Sequence, residues 1–170
     1  MKLYTGKVGM ISEQLLSALT AEGDIEVANG EEVKLDFESI LKEFIRRERQ
    51  VVDEAKNRME RAGSSYSLLG KTKNQVAKEM GFPTNDEQLP FLVQQIMTML
   101  FHSANIEEVY AEDNILRKKI TDVLRKNTSQ EDELDVEVRS KIKNLEEGTG
   151  AFEVEYEKVM AQLRKRKGLN

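Results

Sequence analysis

Apolar residues recur at helical spacing along nearly the whole of this chain, and one stretch is apolar almost all round. Over residues 89–103, Leu92, Val93, Ile96, Met97, Met99, Leu100 and Phe101 leave only a thin polar strip on a helix. That pattern predicts the central helix of a bundle, with every other helix laid against it. The stretch is too short to cross a bilayer, where Gln94 and Gln95 would also go unpaired.

The other elements follow from the same periodicity. Ile11, Leu15, Leu16, Ala18 and Leu19 predict a first helix, with Gly23 placed to end it. Ile25–Val27 and Val33–Leu35 alternate on either side of Asn29-Gly30, which leaves two readings open for 25–35, a short hairpin of awkward register or an extended connector. Asp36 reads as the N-cap of the longest helix, running to about Ala62. Its stripe of Phe37, Leu41, Phe44, Ile45, Val51 or Val52, Ala55 and Met59 breaks at Glu48. Tyr66, Leu69, Val76 and Met80 predict a helix ending at Gly81, and Phe82–Glu87 reads as a linker. Asn85 and Gln88 have capping-box spacing for the central helix, as do Thr128 and Glu131 for a later one. Leu116, Ile120, Val123 and Leu124 stripe one further helix. Leu134, Val138, Ile142 and Leu145 stripe the next, closed by Gly148. Phe152, Tyr156, Val159, Met160 and Leu163 stripe the last, which begins acidic and ends basic, as the helix dipole favours.

The two halves also match each other. A shift of 81 residues lays Ile11 on Leu92, Leu15 on Ile96, Leu19 on Leu100 and Ile25-Glu26 on Ile106-Glu107. After a two-residue gap, Phe37 falls on Leu116 and Leu41 on Ile120. Amphipathic helices align with one another easily, but the Ile-Glu match lies between helices. The reading is therefore an all-α bundle of about six helices built on two imperfect helix–connector–helix repeats. The first repeat unit spans residues 1–83 and the second 84–170, packed as one compact domain.

Composition narrows the chemistry. The chain has no cysteine, which excludes disulfides, thiolate nucleophiles and cysteine zinc sites, and its single histidine, His102, reads as a capping or core residue rather than a catalytic one. Gly70-Lys71-Thr72 resembles the end of a phosphate loop, but Ser65 stands at the first glycine position and a helix, not a strand, precedes it. Glu107, Glu108, Glu112 and Asp113 lack the glycine-centred spacing of a calcium loop. These absences predict a non-enzymatic protein without cofactor or metal. The N-terminus lacks the apolar run of a signal peptide, which predicts a cytoplasmic protein with no membrane association.

Net charge is −5, with an acidic block at Glu131, Asp132, Glu133, Asp135 and Glu137. Basic residues gather in two places: Lys42, Arg46, Arg49 and Lys56 on the long helix, and Arg164, Lys165, Arg166 and Lys167 at the end of the last. They are the candidate interaction residues. Two partners are open to them. One is a protein, or a second copy of the chain; the other is nucleic acid, if the two stretches merge into one phosphate-contacting face. An overall acidic chain with no aromatic stacking set favours the first.

Five strings together resemble a known bacterial family: Met1–Val8, Ile45–Glu48, Ser64–Ser67, Ile106–Asp113 and Leu134–Thr149. In order, they are similar to the domain of unknown function 507, over essentially the whole chain. Relatives in that family often carry tryptophan where this chain has Phe152. The resemblance implies a bacterial intracellular protein and brings no catalytic or binding residues with it.

Overall fold

The structure is a computed structural model that describes residues 1–128, 130–146 and 149–168, with the side chains of 66 and 130–133 outside the description. Seven α-helices and one two-stranded sheet stand among the described residues. In order they are α1 (Val8–Thr20), β1 (Ile25–Val27), α2 (Gly30–Ala62), α3 (Leu69–Glu79), α4 (Gln88–His102), β2 (Ile106–Val109), α5 (Asp113–Thr128), α6 (Gln130–Lys141) and α7 (Gly150–Arg166). Among the described residues no helix is long and apolar enough to cross a membrane.

The chain is built from two compact units, Met1–Ile45 with Asn85–Ser129 and Arg46–Thr84 with Gln130–Asn170. Each takes segments from both halves of the sequence. The boundary inside α2 explains why its stripe breaks at Glu48. Val33, Phe37, Leu41 and Phe44 are buried in the first unit, Val51, Ala55 and Met59 in the second.

The first unit holds α1, the start of α2, α4, α5 and the sheet. Its core includes Ile11, Leu15, Leu19, Phe37, Leu41, Leu92, Ile96, Leu100, Leu116, Ile120 and Leu124, each almost fully buried. α1 and α4 each pack closely on α5. Helix α4 belongs to this unit. Phe101, expected on its apolar face, is 54 % exposed.

Of the two readings of residues 25–35, the hairpin does not form. The two connectors pair with each other: Ile25 opposite Val109, Glu26 opposite Glu108 and Val27 opposite Ile106, antiparallel, with an irregularity after Glu26. The backbone N–H of Ala28 donates to Asn105 at one end of this ribbon, and those of Tyr110 and Ala111 donate to the Asp24 carbonyl at the other. Asn29 does not turn a hairpin because its side chain starts a helix. Its Oδ1 accepts from the N–H groups of Glu31 at 3.1 Å and Glu32 at 3.3 Å, the geometry of an N-cap. Asp36, displaced from that role, lies inside α2 and accepts from Ser103 Oγ at 2.8 Å and Asn105 Nδ2 at 3.3 Å.

Crosswise ties repeat on the other side of the ribbon. Asp24 and Glu22, just before β1, both pair with Lys119 of α5, and these carboxylates, Asp24 first, hold the ammonium above the usual lysine range. Thus Asp24 before β1 reaches α5, while Asn105 before β2 reaches α2. Buried Asn127 on α5 donates to Gln14 of α1 at 2.8 Å and to the Val123 carbonyl at 2.8 Å.

The cap expected for α4 is absent. Asn85 takes a positive φ of 36° in a 3-10 turn over Asn85–Glu87, and no side chain caps α4 at Glu87. Thr128 closes α5, its hydroxyl donating to the Leu124 carbonyl at 2.8 Å. The side chain of Glu131, the other half of that expected pair, lies outside the described residues, as does Gly148.

The second unit joins the rest of α2 with α3, α6 and α7. Its core gathers Val51, Ala55, Met59, Val76, Leu134, Val138, Phe152, Met160 and Leu163. Gly81 takes a φ of 65° after α3, as expected of a helix-ending glycine. Arg47 of α2 donates to the carbonyls of Met80 and Gly81 at 3.2 and 3.1 Å and lies over the Phe82 ring. Between α6 and α7, Tyr156 donates to Asp135, which also pairs with Arg139. The Arg139 guanidinium sits 5.7 Å from the Phe152 ring centroid, so Phe152 has a packing role.

Candidate interaction surface

The basic residues singled out by the sequence fall in both units. Lys42 belongs to the first, where its ammonium lies 3.4 Å from Glu38, one helical turn back. Arg46, Arg49 and Lys56 belong to the second and are exposed. Lys56 sits 3.1 Å from Glu157 of α7. At the end of α7, Arg164 is half-buried with its Nε fully enclosed, whereas Lys165 and Arg166 are exposed. Lys167 pairs with Glu137 of α6 at 3.1 Å. Among the described residues of the second unit, acids therefore stand beside Lys56 and Lys167. The side chains of Glu131, Asp132 and Glu133 lie outside the description, so the acidic block is represented by Asp135 and Glu137.

Several other candidates have structural roles. Arg58 bridges Glu79 at 2.6 Å and Glu54 at 2.8 Å, which raises its already high pKa and lowers that of Glu79. Gly70–Thr72 lie in the first turn of α3, where Thr72 donates to the Leu68 carbonyl at 2.9 Å. His102 is exposed at the end of α4, its Nδ1 donating to the Thr98 carbonyl at 2.8 Å. Glu107 and Glu108 lie on β2, and no trio of His, Asp or Glu is gathered to hold a metal among the described residues. Tyr110 donates to Glu26 at 2.7 Å, and that carboxylate raises the phenol above its usual range.

Two features escaped the sequence reading. The first is apolar exposure on the first unit: Phe101 at 54 %, Tyr110 at 65 %, Ile115 at 42 %, Leu35 at 52 % and Met10 at 44 %. Periodicity places Phe101 one turn beyond the buried Met97 but cannot say where the core stops. The second is a cleft of about 580 Å³ in the same unit, lined by Asn85, Asp86 and Pro90 on one side and Arg117, Thr121 and Arg125 of α5 on the other. Its one sequence signal is the four-residue spacing of the α5 residues, which places them along one helical face.

No curated protein matches this chain. The family model for DUF507, a protein of unknown function, matches residues 1–169, and the chain belongs to that family.

Proposed function

We propose that the protein is a non-enzymatic helical interaction module whose partner is another protein or a second copy of the chain. The observation that carries this reading is α4. Its apolar arc is wider than its unit covers: Leu100 is 1 % exposed and Phe101, its neighbour, 54 %. Aromatic side chains are enriched at the cores of protein interfaces, which supports a partner at this edge. Shared order of helix, strand and helix in 8–45 and 88–128, with the two strands paired, supports the further reading that this unit arose by duplication.

The second reading, nucleic-acid association through Lys42, Arg46, Arg49, Lys56 and the end of α7, is weakened by the acids beside Lys56 and Lys167. Two measurements separate these readings. A photo-crosslinking phenylalanine analogue at position 101 is expected to trap protein adducts in native cells that the same group at exposed Lys118 does not. Labelled DNA and RNA at physiological salt are expected to bind no tighter than about 10⁻⁴ M. Absence of adducts at 101 contradicts the interaction reading. Micromolar nucleic-acid binding, lost when Lys165, Arg166 and Lys167 become serine, overturns it in favour of the second.

A further inference from the structure

We propose that the cleft between the 85–90 turn and α5 binds a small ligand bearing a diphosphate group. This site is independent of the interaction surface. About 580 Å³ is room for a small molecule rather than a macromolecular segment. Arg117 and Arg125 line it, with Thr121 one helical turn from each. Eight residues of helical rise set the two arginine Cα atoms about 12 Å apart, with long side chains between them. That spacing suits an extended anion better than a single phosphate.

Arg117 is already oriented, its Nη2 donating to Gln94 Oε1 at 2.6 Å. Arg125 is exposed and lines the same cleft, and its guanidinium carries five donors that a ligand can take. Forked guanidinium donors match phosphate oxygens in pairs. Leu89 and Pro90 also line the cleft, so the positive end of the α4 dipole opens on it. Asp86 is the lone carboxylate of the lining. It opposes an anion, and its effect can be tested.

Inorganic pyrophosphate and adenosine 5′-diphosphate serve as probes, titrated at constant ionic strength and followed by calorimetry on the full chain. Saturable binding with Kd at or below about 1 mM is expected for at least one probe. Equal affinity points to the inorganic ion, and tighter binding of the nucleotide to an organic diphosphate. Arg125→Gln, an exposed change that leaves the fold intact by circular dichroism, is expected to weaken binding about tenfold or more. Asp86→Asn is expected to tighten it. No saturation by either probe, binding indifferent to Arg125→Gln, or weakening by Asp86→Asn each overturns the proposal.

Discussion

Leu100→Ala is expected to destabilise the first unit by roughly 2–5 kcal/mol, while Phe101→Ser changes its stability by no more than about 0.5 kcal/mol. Both side chains are large and apolar, and they are adjacent in sequence. Leu100 is 1 % exposed, so truncation leaves a cavity as well as losing the transfer energy of the removed carbons. Phe101 is 54 % exposed, so it has already lost most of what burial would contribute in the isolated chain. Urea unfolding followed through NMR signals of the first unit measures both. A Leu100→Ala protein as stable as its parent would remove α4 from the core. A large loss from Phe101→Ser would mean that this ring is covered in the free protein, and the interaction surface would lose its principal residue.

The second large effect is expected twice over. Leu15→Ala and Ile96→Ala should each cost roughly 2–5 kcal/mol and agree to within about 1 kcal/mol. Both residues are fully buried, one in α1 and the other in α4. They are the positions that a shift of 81 residues superimposes. If the two helices face one core in corresponding ways, the cavities left by truncation are alike. One silent substitution beside one severe one would leave only shared periodicity, and the duplication would fall.

Helix content and the buried stripes were legible because period and burial go together in amphipathic helices. Phe37 to Phe44, Leu92 to Leu100 and Leu116 to Leu124 lie where their spacing places them. The break at Glu48 was visible too, but its meaning was not. Periodicity reports that a helix has an apolar face, not that two cores share that helix. Asn29-Gly30 misled because asparagine is at home both in a hairpin turn and at a helix N-cap, and only the 3.1 Å bond from Glu31 N–H distinguishes them. The pairing of β1 with β2 is non-local, and two residues as ordinary as Ile25-Glu26 and Ile106-Glu107 carry no turn signal to announce it. The candidate site was the least legible part. Charge runs mark where cations are in sequence, whereas Lys56 and Lys167 are answered by acids on other helices. Arg117 and Arg125 gain their shared cleft from the 85–90 turn, more than twenty residues away in sequence.

The ribbon that joins the two helix–strand–helix segments is the centre of this account, and a double-cysteine variant tests it most directly. The natural chain has no cysteine, so Glu26→Cys with Glu108→Cys introduces the sole thiol pair. Residues directly opposite on antiparallel strands stand about 4.5–5.5 Å apart at Cα, within the span of a disulfide. Both glutamates are exposed, and like charges placed opposite each other are mildly destabilising, so replacing them tests pairing without emptying the core. Under mild oxidation of the folded protein, the account predicts a rapid, nearly complete intramolecular disulfide, seen as a reducible mobility shift and absent in urea. If 26 and 108 stay reduced while a cysteine pair at Val27 and Val33 closes instead, the connectors fold locally as a hairpin and the account is contradicted.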